Sequence, residues 1–514
     1  MMLLVEKLWK PLWEITLNHK IRIRKLPTGV PGLDDLLGGG LPEYSFNLIA
    51  GCPGGGKTTL AHQIMFTQAS PTNRVLFFTV LGEPALKMLR YQQQFSFFEI
   101  DKVNDSVRYV NLSQDLLQGD FDKVLTRIVN EVQQYVPGLV FVDSFRSVVR
   151  SGKQAHSGLS DMQRFLQRLA MEMTSWQATT FLIGEYGATE ADSSPIFTVA
   201  DGILWLTQSL HRDTMVRKLQ VVKMRGQSQH SGLHTFRIDD DGIQIFPRAM
   251  VQTNTIEAIK VPGGGKRIAM GIPKLDEMLG GGLPTGYALL VVGPTGSGKT
   301  ILSTEFLAEG VRRGEPGVIA AFEKHPSQLL NKALYTLVTA GQVGMIDAHS
   351  LSLSIDETLH ELIKAIERLQ AKRVVIDSLS GFELVLAPEF HEDFRSALYR
   401  MVAVLTGMGV TVLMTSELED RYTDLRFSPF GSAFLADAII VQRYVEMEGN
   451  FKRVLSVAKV RGSGHSKEIR LFEITDDGII IGQPLKCYSG ILSGRPRFDA
   501  KPGTPMRASK DDPS

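Results

Sequence analysis

The chain has 514 residues, too many for one ordinary hydrophobic core, so two domains of similar size are expected. Its 43% hydrophobic and 22% charged residues are those of a globular protein. The 56 basic and 55 acidic side chains leave a net charge of +1, which excludes an electrostatic case for bulk nucleic-acid binding.

Residues 1–20 read as a leader. Glu6, Lys7 and Lys10 interrupt its apolar stretch and no small-residue cleavage site follows, so a signal peptide is not expected. Trp9 and Trp13 stand at helical spacing, as a docking face or as a flap on the first domain. No apolar run approaches the length of a membrane span. Cys52 and Cys487, the two cysteines, match neither a metal nor a disulfide pattern and suit a reducing cytoplasm.

The first domain, placed at 21–258, opens on the box Gly29-Val30-Pro31-Gly32-Leu33-Asp34-Asp35-Leu36-Leu37-Gly38-Gly39-Gly40-Leu41-Pro42. A strand over Phe46 to Ala50 leads into Gly51-Cys52-Pro53-Gly54-Gly55-Gly56-Lys57-Thr58, a phosphate-binding loop of the form G-x-x-x-x-G-K-[ST]. A helix, a second strand over Val75 to Val80 and a further helical region follow. The apolar strand Leu139-Val140-Phe141-Val142 then ends in Asp143, and Lys223-Met224-Arg225-Gly226 lies near the end of the domain.

The same series returns in a second domain, placed at 259–486, ahead of a tail over 487–514. Its box runs from Gly271 to Pro284, with a strand over Ala288 to Val292 and the loop Gly293-Pro294-Thr295-Gly296-Ser297-Gly298-Lys299-Thr300. The strand over Val318 to Phe322, the aspartate strand Val374-Val375-Ile376-Asp377 and Lys459-Val460-Arg461-Gly462 complete it. The boxes begin at 29 and 271 and the loops at 51 and 293, both 242 residues apart, so the chain is a tandem duplication. Arg217 and Arg453, and Asp201 and Asp437, share the 236-residue separation of the two K-x-R-G segments. Alternating strands and helices predict an α/β fold with a doubly wound, mostly parallel sheet in each copy.

The loop glycines allow backbone N–H groups to curl around phosphate oxygens. Lys57 and Lys299 neutralise β/γ charge, and the hydroxyls of Thr58 and Thr300 can ligate Mg²⁺. Asp143 and Asp377 stand where a carboxylate at the end of a central parallel strand holds the water shell of that ion. The basic K-x-R-G segments are far from their own loops in sequence. They suit an interface that supplies charge to a neighbour's phosphates, or else a solvated basic strand face.

Taken together, the duplicated boxes, both phosphate loops, the aspartate strands and the paired K-x-R-G segments resemble the KaiC family of RecA-like ATPases. The resemblance runs from about Thr28 to Pro496 and includes Gly490-Ile491-Leu492-Ser493-Gly494-Arg495-Pro496. It implies two tandem RecA-like domains, ATP and Mg²⁺ as cofactors, and a homo-oligomer in the form of a double-ringed hexamer with ATP between protomers. It puts Gly51, Gly54, Gly55, Gly56, Lys57, Thr58 and Thr59 on one nucleotide. Gly293, Thr295, Gly296, Ser297, Gly298, Lys299, Thr300 and Ile301 fall on the other. Lys223, Arg225, Arg453, Lys459, Arg461, Ser463 and His465 would face the neighbour's nucleotide.

Two departures decide activity. Clock members carry paired glutamates after the phosphate-loop helix, whereas here the second copy reads Glu323-Lys324 and the first Leu81-Gly82, with Glu83 one residue late. Glu323 is therefore the expected base, beside the Mg²⁺ held by Thr300 and Asp377, and hydrolysis is expected mainly in the second domain. The clock members' serine–threonine acceptor pair aligns with Ala433-Phe434, which has no hydroxyl; Ser432 and Ser428 are the nearby ones. The resulting expectation is a cytoplasmic, slow, Mg-dependent ATPase with a regulatory role and a regulatory protein partner, with neither membrane nor nucleic acid engaged. The rivals are a serine/threonine autokinase of the KaiC type, a DNA recombination ATPase of the RecA or RadA kind, and a nucleotide-sensing scaffold.

Overall fold

The computed structural model describes residues 23–79, 85–116, 121–145, 159–187, 190, 194–211, 214–249, 266–322, 332–347, 354–386, 394–418, 434–447, 449–476, 478–486, 488–491 and 497–498. The chain divides into two compact units, the first of residues 1–210 with 215–248 and the second of 211–214 with 249–514. Glu323, Ser428, Ser432, Ala433 and the stretch Leu81-Gly82-Glu83 lie outside the described residues.

Runs of apolar residues set the strands of the first unit: β1 (Phe46–Gly51), β2 (Val75–Thr79), β3 (Val107–Asn111), β4 (Leu139–Asp143), β5 (Thr179–Glu185) and β6 (Gly202–His211). Val75, Leu76, Phe77, Phe78, Leu139, Val140, Phe141 and Val142 are all buried, as expected of parallel strands covered on both faces. Helix α1 (Lys57–Gln68) follows the phosphate loop. Helices α2 (Phe121–Tyr135) and α3 (Leu159–Ser175) pack the other face through stripes such as Val124, Leu125, Ile128 and Val132. Three more strands, β7 (Thr214–Met224), β8 (His234–Asp239) and β9 (Gly242–Phe246), extend the sheet. The strand order is β9-β8-β7-β6-β1-β5-β4-β2-β3. The six strands from β6 to β3 are mutually parallel, while β8 pairs antiparallel with both β7 and β9.

Alternating side chains divide the core between the two faces: Leu48 and Ala50 pack on the α2 and α3 side, Ile49 on the α1 side. On the α1 side Phe77, Phe141 and Phe181, from three adjacent strands, stack with centroids 5.8 and 4.6 Å apart.

The second unit repeats this plan with β10 (Ala288–Gly293), α4 (Lys299–Arg312), β11 (Gly317–Ala321), β12 (Val343–Asp347), α5 (Ile355–Leu369), β13 (Arg373–Asp377), α6 (Phe394–Gly407) and β14 (Thr411–Glu417). The strands β15 (Ala438–Met447), β16 (Asn450–Val460), β17 (Ile469–Thr475) and β18 (Gly478–Pro484) complete it. Its order, β18-β17-β16-β15-β10-β14-β13-β11-β12, matches the first sheet strand for strand. Helix α5 starts where the Ser354 hydroxyl accepts a bond from the Glu357 N–H, and it ends at Gln370 with φ 52°. The two α/β sheets agree with the fold class expected from the sequence.

Candidate functional site

Each phosphate loop leaves the C-terminal end of the central strand of its sheet and runs into a helix, where the amides and the helix dipole favour an anion. The turn needs glycine. Gly56 and Gly298 have φ of 90° and 102°, and a Cβ on Gly298 would stand 2.8 Å from Ile474 Cδ1. Thr59 and Ile301 follow in the first turn of each helix.

The lysines fold back onto their own loops. Lys57 Nζ donates to Cys52 O at 2.6 Å, and Lys299 Nζ donates to Gly293 O at 2.8 Å and Pro294 O at 3.0 Å. Burial pushes the Lys57 ammonium below its ordinary range, while Glu185, Cys52 and Asp143 draw it back up. A phosphate entering either cradle would offer the ammonium a charged acceptor in place of neutral carbonyls.

Facing each helix start is the predicted aspartate. The Thr58 hydroxyl donates to Asp143 Oδ2 at 2.7 Å and the Thr300 hydroxyl to Asp377 Oδ2 at 2.8 Å, a paired hydroxyl and carboxylate in both units. These oxygen donors beside a phosphate cradle fit Mg²⁺. Burial raises the Asp143 carboxyl to about 6, against the pull of Thr58 and Lys57. Asp377 Oδ1 also accepts from the Thr415 hydroxyl.

The structure adds two carboxylates that the sequence reading missed. Glu185 and Glu417 end β5 and β14 and lie in register beside Gly51 and Gly293. Thr295 Oγ1 donates to Glu417 Oε1, and Ser297 Oγ donates to Gln442 Oε1 at 3.0 Å. The first loop has Pro53 and Gly55 at those two places, so it forms neither tie; there Gln208 Nε2 donates to Pro53 O at 2.9 Å instead. The available signal was an apolar run ending in glutamate soon after each aspartate strand.

The K-x-R-G residues are not brought to their own loops. Lys223 Nζ donates to Thr198 O at 3.0 Å, and Arg225 pairs with Asp201 at 3.2 Å. Lys459 Nζ donates to Ala436 O at 2.8 Å, and Arg461 meets Asp437 at 3.5 Å. Asp201 and Asp437 bind the backbone of Phe46 and Ala288, the first residues of β1 and β10. The loops leave the last residues of those strands, so the full six-residue strand, about 17 Å, separates the two groups. Arg453 stands apart from Lys459 and Arg461: its guanidinium lies 5.5 Å over the Tyr444 ring, and a Cβ on Gly296 would stand 3.0 Å from the Tyr444 hydroxyl. Ser463 Oγ accepts from Arg267, and His465 follows in the same loop.

A family model described as "ATPase: KaiC" matches residues 26–250 and again 268–486. The circadian clock protein KaiC3 of Synechocystis sp. is 28% identical over 495 residues, covering 93% of this chain and 96% of that protein. The circadian clock oscillator protein KaiC of Thermostichus vulcanus is 27% identical over 498 residues, 94% of this chain and 93% of that one. The protein of the same name from Picosynechococcus sp. is 27% identical over 487 residues, 92% of each. Two matched sheets with a phosphate cradle on each, and a family model that fits each copy in turn, lead to one assignment: the chain belongs to the KaiC family of ATPases.

Proposed function

We propose that the chain is a Mg-dependent ATPase that assembles into nucleotide-dependent rings, hexameric as in the resemblance above, and hydrolyses ATP mainly in its second unit. The observation that carries this is the duplicated cradle: glycine loop, buried lysine and threonine–aspartate pair at the same place in both sheets. When bound, Mg²⁺ would neutralise β/γ oxygens, held by Thr58 with Asp143 and by Thr300 with Asp377. Glu323 would take the proton of the attacking water and stand beside the ion; the first copy has Leu81 in that place.

In this reading the K-x-R-G segments act on an adjacent subunit. Lys223 and Arg225, and Lys459 and Arg461, are held at the sheet end remote from their own phosphate loops, which supports a role toward a neighbour's nucleotide. Glu185 and Glu417 border the cradles and belong to the same sites. An autokinase has less support. Phe434, at the second of the aligned acceptor positions, carries a ring with Arg395 4.7 Å above it and offers no side-chain oxygen. A regulatory role in the cytoplasm with a protein partner fits relatives that are named as circadian clock proteins.

Phosphate release by Lys57→Ala, Lys299→Ala and Glu323→Gln tests the assignment. Lys299→Ala and Glu323→Gln should each lower turnover by about 10²-fold, with Glu323→Gln still binding ATP. Dominant loss in Lys57→Ala would move the activity to the first unit.

A further inference from the structure

The duplicated glycine box takes no part in the phosphate cradle. Its position in the structure gives it another task. In each unit Asp34 or Asp276 folds the box on itself. Asp34 Oδ1 accepts from the Thr28 N–H at 2.8 Å, Asp276 Oδ1 from the Met270 N–H at 2.7 Å, and their carbonyls accept from the Gly39 and Gly281 N–H groups at 2.7 Å. The fold presents a row of carbonyls to the loop that follows the K-x-R-G segment.

That loop is seated on the box in both units. The His230 N–H donates to Leu36 O at 2.9 Å, and the Ser466 N–H donates to Met278 O at 2.8 Å. The approach is close enough to require glycine: a Cβ on Gly38 would lie 2.9 Å from Ser228 O, and one on Gly280 would lie 2.7 Å from Gly464 O. Both glycines also have positive φ, 64° and 77°.

The two units satisfy the same carbonyls from opposite sides. In the first, Gln227 of the loop donates to Leu37 O at 2.7 Å and Gly40 O at 2.8 Å, while Lys25 donates to Gly38 O. In the second, Arg267, at the place of Lys25, donates to Leu279 O at 3.1 Å and Gly282 O at 2.7 Å, and also holds Ser463, at the place of Gln227. A changed residue on one side is matched by a changed residue on the other, and the seat is kept.

We propose that the glycine box is a clasp that anchors the loop directly after Lys223 and Arg225, or after Lys459 and Arg461, and so fixes the segment that carries charge to the adjacent subunit's nucleotide, with Gln227 in the first unit and Arg267 in the second as the positioning residues. The proposal rests on the in-trans reading above. A loop pinned in this way, by one backbone and two side-chain hydrogen bonds in the first unit and by one of each in the second, meets its neighbour without first being ordered, which lowers the nucleotide concentration needed for assembly.

The difference between the units supplies the test, on the full chain titrated with Mg·ATP and followed by light scattering. Gln227→Ser gives the first unit the second unit's loop residue without its partner. The ATP concentration at half-assembly should rise by roughly tenfold. Lys25→Arg together with Gln227→Ser transplants the second unit's arrangement and should return that midpoint to within about twofold of the parent. Binding of a fluorescent ATP analogue to dilute, unassembled chain should be equal in all three proteins. A parental midpoint in Gln227→Ser, no recovery in the double variant, or weakened binding by the unassembled chain would each overturn the clasp alone. A parent whose size ignores Mg·ATP would remove the in-trans reading and the clasp with it.

Discussion

His234 is a buried side chain whose Nδ1 is committed to the neutral form of the ring. Nδ1 accepts from the Arg248 N–H at 2.9 Å, so the proton sits on Nε2, which faces His230 O at 3.4 Å. Burial pushes its pKa down to about 4, against the pull of the His230 carbonyl, while the His230 ring and Arg248 oppose a further positive charge. The unfolded chain takes up this proton near pH 6.5 and the folded chain only near 4. The stabilisation is therefore complete above pH 6.5 and is lost as pH falls toward 4. His62, enclosed on the helix behind the first phosphate loop and also pushed down to about 4, acts in the same direction. Urea unfolding at pH 7 and pH 4.5 should show the first unit weakened at the lower pH, with the loss reduced in His234→Gln. An unchanged loss in that variant would place the titration elsewhere.

Elements built on uninterrupted apolar runs were the most legible in the sequence, and the aromatic stack shows why. Phe141 lies in the four-residue apolar run Leu139-Val140-Phe141-Val142, fully buried between Phe77 and Phe181 on the neighbouring strands. Phe141→Ala should destabilise the first unit by ~3–5 kcal/mol, read as a lower urea midpoint, because the two remaining rings, held on strands either side, cannot close on the cavity. A loss below about 1 kcal/mol would mean that the helices collapse onto the sheet. The strands ending in Asp143 and Asp377 could be read for the same reason. The strands β7 and β16 of the antiparallel extensions could not be bounded, since half-buried antiparallel strands mix polar with apolar residues and carry a weaker pattern. Pairings across long separations were also hidden. Glu417 meets Thr295 only because β14 and β10 lie in register, and Gln227 meets Leu37 across 190 residues of chain. Residue spacing shows which chemistry is present; the sheet order decides which groups meet.

For the molecule as a whole, the separation of the two charge systems sets the working unit. Within one unit, the phosphate loop and the K-x-R-G segment stand at opposite ends of the central strand, about 17 Å apart, so no single sheet can close both on one nucleotide. If Arg461 serves a neighbour's phosphates, one complete site needs a loop from one subunit and an arginine from the next. Two defective chains should then complement each other. Lys299→Ala removes the loop lysine and leaves Arg461 intact, while Arg461→Ala does the reverse, and each alone should release phosphate about 10²-fold more slowly than the parent. In rings formed from an equimolar mixture, a quarter of the interfaces join the intact loop of one chain to the intact arginine of the other. Mixing before ATP is added should therefore restore about one quarter of parental turnover, if the interfaces act independently. Arginine acting within its own chain predicts no gain on mixing, since every chain then keeps its own lesion. Turnover that stays at the sum of the two single variants, in mixtures shown by mass to contain both chains, would reject the shared site.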